Sequence, residues 1–357
     1  MKWLRILLVF VPVTVAAHWL HWPAWIVLAV SCLAIVPLAE LVGEGTEAVA
    51  ATVGPRWGGL LNATFGNAAE LIISIAAIRA GLIELVKASI TGSILGNILF
   101  VLGLSLLLGG WRNGVQRFDR AAAGTNATML ILAVAALLIP SLFGHAIESR
   151  SHADVERLSL GVAAAMMLIY VLGLVYALRA PQRTRDQPMA HGGGAAPHWR
   201  LSTAAAVLGG ATVAIVVVSE ILVHAVEPVV AQFGLSEFFL GVILIPIIGN
   251  AAEHLVGVQM AVKDQMDLSI GISIGSGLQI ALFVAPVLVF TAPLLGHELT
   301  LVFNHFEIVA LFACAVIAAL VCLDGRSNWL EGAQLLVLYA ILALAFYYLP
   351  TGAAEIG

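Results

Sequence analysis

The residues best suited to chemistry are two glutamates, each set in a long apolar stretch. Glu70 and Glu253 both follow the residues Gly-Asn-Ala-Ala, so the pentapeptide GNAAE occurs at 66–70 and again at 249–253. A carboxylate at the centre of a bilayer costs roughly 2.5 kcal/mol or more, so it is a functional-site candidate by default. No Lys or Arg lies within one helical turn of either glutamate. The pair therefore predicts a site for a cation or protons.

The residues beside the two glutamates supply oxygen ligands of the kind that a hard cation prefers. Ca2+ takes about six to eight oxygens from carboxylates, amides, backbone carbonyls and water. Asn67 and Asn250 place an amide next to each carboxylate. Gly66 and Gly249, with Pro246 in the second copy, permit a helix break that turns backbone carbonyls toward a cavity. We predict that all these residues contribute to a Ca2+ site.

Small and polar residues on the next predicted helix of each copy extend the candidate ligand set. They are Gly92, Ser93 and Asn97 in the first copy, and Gly275, Ser276 and Gln279 in the second. The small residues allow helices to approach closely, and the hydroxyls add oxygens. Asn97 and Gln279 share a helical face with the serines, although the offset of 183 residues between the two GNAAE blocks does not align them with each other. A packing hydrogen bond is the alternative role for the four polar side chains.

Two carboxylates in one cavity of low dielectric constant repel each other, so protons compete directly with a divalent cation for them. The predicted site holds Ca2+ with both glutamates ionised, or protons with both neutral. An empty site with two negative charges is costly to bury. The pair therefore predicts exchange of a cation for protons in preference to a leak.

A second tier of titratable residues lies on the helix that precedes each GNAAE block. It comprises Glu40, Glu44 and Glu47 in the first copy, and Glu220, His224 and Glu227 in the second. Spacings of four and seven place each set along one helical face, which predicts an access path for protons or cations. The alternative is interfacial charge near a helix end, favoured for Glu47 and Glu227. His254 either tunes the proton affinity of Glu253 or packs, and Glu307 is a further candidate for the path.

Composition identifies the elements that must position these side chains. The 357 residues are 61% hydrophobic and only 10% charged, against about 25% in a soluble domain. The mean hydropathy is +1.03, and a helix that spans a bilayer needs about 20 apolar residues. These values predict an all-α polytopic membrane protein. A net charge of -5 without a long basic run argues against a nucleic-acid partner, and no hydrolase, zinc or nucleotide motif indicates an enzyme or a cofactor.

Apolar runs bounded by charge, Gly or Pro predict eleven transmembrane helices. In the first half they lie at about 3 to 20, 24 to 51, 56 to 80, 85 to 109, 121 to 143 and 156 to 179. In the second half they lie at about 201 to 226, 236 to 262, 267 to 292, 301 to 323 and 330 to 349. The first run could also be a signal peptide, but Trp19 and Trp22 suit the interfacial end of a first span.

The basic residues set the predicted orientation, because Lys and Arg accumulate on the cytoplasmic side of a bilayer. With a cytoplasmic N-terminus, 12 of the 16 basic residues face the cytoplasm. The other four are Arg79, Lys87, Arg150 and Arg157. We therefore predict an integral membrane protein with a cytoplasmic N-terminus and an external C-terminus, in contact with bilayer lipid. The sequence leaves open whether it forms a homo-oligomer.

The repeated blocks divide the chain. We predict an extra N-terminal helix at 1–23, a five-helix repeat at 24–179, a cytoplasmic linker at 180–200 and a second five-helix repeat at 201–357. An odd number of crossings gives the two repeats opposite orientations in the membrane. Inverted repeats are typical of secondary transporters, which bind substrate near the midplane by alternating access. A duplication retained only for packing would not explain why the stretch that is identical in the two copies is polar.

Three stretches resemble the Ca2+/H+ antiporter (cation/proton exchanger) family of the calcium/cation antiporter superfamily. They are LLNATFGNAAELIISIAAIRAG, ILIPIIGNAAEHLVGVQMAVKDQMDLSIGISIGSGLQIALFV and DGRSNWLEGAQLLVLYAILALAFYY, and the likeness extends over about residues 30 to 350. The resemblance implies eleven helices in two inverted repeats, with Glu70 and Glu253 as the central ligands of Ca2+ and protons.

The resemblance also implies removal of Ca2+ from the cytosol, across the plasma membrane of a prokaryote or into an organelle, driven by a proton gradient. A short chain of this kind favours a prokaryotic inner membrane. Many relatives carry an acidic helix in the central linker, whereas residues 180–200 contain only Asp186 as an acid. Exchange of Na+ or K+ for protons is the alternative within the transporter class. A cation channel is a less favoured alternative, and a membrane enzyme is the least favoured.

Overall fold

The computed structural model describes residues 4–53, 58, 61, 64–148, 152–179 and 199–349. Almost all of the predicted linker, residues 180–198, lies outside this part of the chain, as do Lys2, Arg56 and Arg150 of the charge count. The described residues are mostly helical, as the composition predicts. We number the helices and strands below in chain order.

Six helices and one short strand can be bounded among the described residues of the first half of the chain. They are α1 (Leu4–Trp19), α2 (Ala24–Val53), α3 (Ala68–Arg79), α4 (Ile83–Asn113), β1 (Gln116–Arg117), α5 (Arg120–Glu148) and α6 (His152–Arg179). The first turns of α1, Leu4–Val9, are a 3-10 helix. Within α4, residues Gly96–Val101 form a π-helical segment.

The described residues of the second half likewise form six helices and one short strand, but this strand comes directly before the last helix. These elements are α7 (Leu201–Phe233), α8 (Glu237–Gly249), α9 (Ala251–Val262), α10 (Met266–Leu295), α11 (His305–Val321), β2 (Arg326–Ser327) and α12 (Trp329–Tyr347). A π-helical segment, Ile280–Val284, interrupts α10 at the place equivalent to the one in α4. Another, Leu240–Leu244, lies in α8.

Seven of these helices are long and apolar enough to cross a membrane, or eight if α8 and α9 are one bent span. Two more, α1 and α11, are apolar but shorter, and α3 follows residues that are only partly described. The polytopic membrane fold is confirmed, while the total of eleven spans stays a prediction. One predicted boundary is wrong: α7 does not end at 226 but continues through Pro228 to Phe233, where Gly234 adopts φ 65°. A helix-internal proline removes only one backbone donor, and glycine supplies the left-handed cap.

Contacts between loops define the two ends of the helix bundle. At one end, Asn113 Nδ2 donates to the Ala261 carbonyl over 3.1 Å, and the Asp119 N–H donates to Asp267 Oδ1 over 2.6 Å. Helix α4 therefore finishes where the equivalent helix α10 begins, so the two repeats run in opposite directions. Strand β1 pairs antiparallel with β2 at this same end. We call it the β-ribbon end, and the charge count predicts that it faces the cytoplasm.

The other end holds different loops. There Arg79 forms an ion pair with Glu220 at 2.7 Å, and Lys87 Nζ donates to Thr300 Oγ1 over 3.2 Å. Both contacts join a residue of the first repeat to one of the second. The helices that carry the GNAAE blocks and those that follow them cross between these ends, so that the polar residues of both repeats meet inside the bundle.

Candidate cation-binding site

Each GNAAE block sits where a helix breaks. Helix α8 ends at Gly249, and α9 begins after Asn250. The axes of the two helices are bent by 62° at this break. In the first repeat, Gly66 and Asn67 form a turn immediately before α3. Asn67 and Asn250 have almost the same backbone geometry, with φ -101° and ψ 25° against φ -96° and ψ 7°. The helix break that Gly and Pro permit is therefore present in the structure.

The two glutamates lie in the first turn of the helices that start at these breaks. Glu70 is 4% exposed and Glu253 is 7% exposed. The positive end of a helix dipole favours negative charge in the first turn. Gly249, in the block that ends with Glu253, lies against the side chain of Glu70: a Cβ there would be 3.5 Å from Glu70 Oε1. The structure thus brings the two predicted acids into one buried region.

Hydrogen bonds that cross between the repeats hold the two asparagines. Asn67 Nδ2 donates to Gln279 Oε1 over 2.5 Å, and Asn250 Nδ2 donates to Ser93 Oγ over 3.4 Å. Asn250 Nδ2 also donates to the Pro246 carbonyl over 3.0 Å. These hydrogen bonds use the NH2 group of each asparagine, so the amide oxygen of each asparagine remains available to another ligand.

Within the second repeat, a hydroxyl reaches the carboxylate directly. Ser276 Oγ donates a short hydrogen bond to Glu253 Oε2, and Ser276 is completely buried. A hydroxyl that donates to a carboxylate stabilises its ionised form. The repeats are therefore asymmetric here: Ser93 accepts from an asparagine, while Ser276 donates to a glutamate.

Several buried oxygens of the site have no hydrogen-bond partner among the described residues. They are Asn67 Oδ1, Glu70 Oε2, Asn97 Oδ1 and Asn250 Oδ1. Buried polar atoms are normally paired, so a group of them in one region needs an explanation. All four are oxygens of the carboxylate or amide type, which is the chemistry that Ca2+ prefers. Among the described residues no three His, Cys, Asp or Glu side chains converge on one point, so the donor set depends on the amides.

The sequence did not reveal the π-helical segments beside the site. Asn97 lies inside the segment Gly96–Val101, and Gln279 immediately precedes the segment Ile280–Val284. π-helical turns are rare and occur often at functional sites. The extra residue in a π-helical turn changes which of the following side chains face the site.

The two glycines that precede the serines play different parts. A Cβ on Gly92 would overlap the backbone carbonyl of Val242, so this glycine allows α4 to approach α8 closely. At Gly275 no described heavy atom lies within 4 Å of such a Cβ. The expectation of close helix approach is therefore right for Gly92 and wrong for Gly275, whose surroundings are open.

The second tier of acids divides between the two ends. Glu40 is buried and Glu47 half-buried on α2, where Glu44 pairs with Arg5 of α1 at 2.9 Å. On α7, Glu227 is exposed and Glu220 forms the ion pair with Arg79. His224 Nδ1 lies 2.6 Å from the Glu220 carbonyl. The first set therefore lies toward the β-ribbon end and the second toward the opposite end.

Glu307 has structural partners instead of an open path. One carboxylate oxygen accepts from Thr91 Oγ1 over 2.7 Å, and the other accepts from the Asn304 N–H over 2.9 Å, as part of a capping box at the start of α11. Buried His254 packs edge-on against Phe100, with ring centroids 6.0 Å apart. Both contacts agree with packing roles for these two side chains.

Comparison with known proteins decides the family. The sequence profile described as "sodium/calcium exchanger protein" matches residues 23–179 and 203–348, most of the chain. The chain belongs to the sodium/calcium exchanger protein family. Its matching segments contain both GNAAE blocks. The resemblance inferred from the sequence is thereby confirmed.

Two bacterial relatives are similar to the chain over nearly their whole length. The chain is 41% identical to a Ca(2+)/H(+) antiporter of Aphanothece halophytica, over 98% of this chain and 97% of the relative. It is 43% identical to the Ca(2+)/H(+) antiporter ChaA of Bacillus subtilis, over 95% and 97%. The crystal structure of the selenium-substituted Ca2+/H+ antiporter protein YfkE has a TM-score of 0.85 at 40% identity, covering 98% of this chain and all of that one. The chain therefore shares its fold with this antiporter and is similar in sequence to Ca(2+)/H(+) antiporters.

Proposed function

We propose that this member of the sodium/calcium exchanger protein family exchanges Ca2+ for protons at Glu70 and Glu253. The observation that supports the proposal most is the buried set of carboxylate and amide oxygens, several of them without a hydrogen-bond partner among the described residues. Ca2+ prefers such ligands, and protons compete for the same carboxylates. Two relatives, 41% and 43% identical to the chain, are named as Ca(2+)/H(+) antiporters, which supports the proposal.

The protein alternates between two states of similar charge. With Ca2+ bound both glutamates are ionised, and with protons bound both are neutral, so the site is nearly neutral in each state. Repulsion between the two carboxylates makes the empty, doubly ionised site costly to bury. This cost couples Ca2+ movement to proton movement and limits leakage. We propose that Glu40 and Glu47 on one side, and Glu220 and Glu227 on the other, line the two access paths.

The remaining predictions on location complete the proposal. The protein lies in a prokaryotic cytoplasmic membrane with its N-terminus inside, and it removes Ca2+ from the cytosol at the expense of the proton gradient. Relatives from Bacillus subtilis and Aphanothece halophytica support a prokaryotic setting. The transported ions are the ligands of the site, and the proposed mechanism uses no cofactor.

Transport into proteoliposomes tests the function. Purified protein is reconstituted, a pH gradient is imposed with the acidic side inside, and uptake of radioactive Ca2+ is followed with and without a proton ionophore. We expect uptake only with the gradient, and loss of uptake on adding the ionophore. Excess Na+ or K+ outside should leave uptake unchanged. Uptake that ignores the gradient contradicts antiport and favours a channel, while inhibition by Na+ or K+ favours the monovalent exchanger.

The hydroxyl of Ser276 provides a graded test of the site. We expect Ser276→Ala to raise the Ca2+ concentration that gives half-maximal uptake about tenfold or more, because a hydrogen bond to a charged group contributes roughly 1.5–3 kcal/mol. Ser273→Ala is the matched control, since Ser273 Oγ donates to the Ser269 carbonyl of its own helix. Equal Ca2+ dependence in the two variants would show that Ser276 does not position Glu253.

A further inference from the structure

A groove runs between α5 and α11 at the β-ribbon end of the molecule. Its volume is about 620 Å³, and its lining includes Arg120, Gly124 and Thr128 of α5, Ala319 of α11, and Cys322 and Leu323, which directly follow α11. From Arg120 to Thr128 it follows α5 for about 12 Å at a rise of roughly 1.5 Å per residue. The Thr128 hydroxyl donates to the Gly124 carbonyl over 2.8 Å, so the wall below Arg120 is apolar in character.

Exposed aromatic residues mark the depth of this groove in the bilayer. Trp111 at the end of α4 is 77% exposed and Trp329 at the start of α12 is 47% exposed. The two rings are edge to face with centroids 6.1 Å apart. Tryptophan is enriched at the level of lipid headgroups. The mouth of the groove at Arg120 is therefore near headgroup level, and its apolar length extends into the hydrocarbon region.

Arg120 lines the mouth of the groove, and two further arginines lie on the neighbouring β1–β2 pair. Arg117 and Arg326 lie directly opposite each other in the β1–β2 pair, and both are exposed. Arg120 lies beside this pair, because a Cβ on Gly325, the residue before Arg326, would be 3.2 Å from Arg120 Cβ. Like charges directly opposite each other on two strands destabilise the pairing. Within the described ranges none of the three arginines is in an ion pair, so this cluster suits an anion.

The acids near the mouth are bound to the backbone. Asp119 Oδ1 accepts from the N–H groups of Ala121 and Ala122 over 2.8 and 3.1 Å. Asp324 Oδ1 accepts from the Arg326 N–H over 2.9 Å, and Asp267 Oδ1 accepts from the Asp119 N–H. These carboxylates stabilise the loops instead of pairing with the guanidinium groups. The guanidinium groups of the three arginines therefore remain available to a ligand.

We propose that this groove binds an anionic phospholipid. One acyl chain lies between α5 and α11, and the phosphate is held at Arg120, Arg117 and Arg326. The apolar length requires a chain, while the arginines require a negative headgroup, and basic sites between membrane helices on the cytoplasmic side suit such lipids. The site lies apart from the buried glutamates and does not depend on the transported ion.

Native mass spectrometry of the full-length protein in detergent tests this proposal. Dioleoylphosphatidylglycerol is titrated against dioleoylphosphatidylcholine, and the fraction of protein carrying each lipid is measured. We expect one saturable site that prefers the anionic lipid. Arg120→Gln should weaken its binding about fivefold, since a basic residue at a membrane surface contributes about 1 kcal/mol. Gly124→Leu should remove the site, because the space beside Gly124 is open and leucine would fill it.

Matched variants separate this groove from the general surface. Arg112→Gln removes an exposed arginine at the same end, and Gly161→Leu adds a leucine at an exposed glycine of α6 with open space beside it. Both should bind the anionic lipid like the unaltered protein. Equal retention of the two lipids, unaltered binding in Gly124→Leu, or full competition by glycerol phosphate alone would each overturn the proposal.

Discussion

Glu253→Gln and Glu70→Gln are each expected to abolish proton-driven Ca2+ uptake while the protein remains folded. Replacing a residue behind a metal ligand commonly costs 10–100-fold, so loss of a carboxylate ligand itself should lower uptake about 100-fold or more. Glutamine keeps the size of the side chain but holds neither the charge that binds Ca2+ nor the exchangeable proton. Uptake into proteoliposomes and the melting temperature of each variant in detergent are the two measurements.

The melting temperature should stay the same or rise. Each variant removes one of two buried carboxylates that repel each other, and relief of such repulsion does not destabilise the fold. Glu156→Gln is the control, because Glu156 is only half-buried on α6, a helix that contributes no residue to the proposed site. Uptake near that of the unaltered protein in Glu253→Gln would remove this residue from the ion site.

Gly92→Ala is expected to have the largest effect on folding. The new methyl group would overlap the Val242 carbonyl, and Pro246 Cγ would lie 2.7 Å from it, so α4 and α8 would have to separate. Inserting one carbon into a closely packed contact costs typically about 1–3 kcal/mol. We expect a lower melting temperature and a reduced yield of folded protein, with transport impaired because α8 leads into Asn250.

The repeat supplies the control for this prediction. Gly275 occupies the equivalent position in α10, but no described heavy atom lies within 4 Å of a Cβ placed there. Gly275→Ala should therefore melt within a degree or two of the unaltered protein, and alanine also favours helix over glycine. Equal destabilisation of both variants would mean that helix geometry, and not the contact with Val242, determines the loss.

The sequence predicts those parts of the fold that depend on local chemistry. Apolar length predicts the membrane helices, and the two GNAAE blocks predict both the inverted repeat and the acids that come together. Glycine before asparagine, with Pro246 in one copy, correctly predicts the helix breaks at Asn67 and Asn250. These features follow from backbone freedom, missing donors and the cost of a charge in lipid, all of which are properties of single residues.

The sequence does not predict features that depend on which helix faces which. The bond from Asn67 to Gln279 joins residues 212 positions apart. In a membrane both the lipid face and the buried face of a helix are apolar, so periodicity gives little indication of partners. The π-helical segment Ile280–Val284 consists entirely of apolar residues, which do not distinguish a π-helical turn from an α-helical one. The difference between Gly92 and Gly275 likewise depends on a neighbouring helix.

Proton release on Ca2+ binding tests the central claim most directly. Purified protein in weakly buffered detergent solution with a pH-sensitive dye is mixed rapidly with Ca2+, and the protons released per bound Ca2+ are counted. Competition for Glu70 and Glu253 predicts release of up to about two protons per Ca2+ at low pH, less in each single glutamine variant and none when both are replaced. Binding of Ca2+ without proton release, or the same release when both glutamates are replaced, would contradict exchange at this pair.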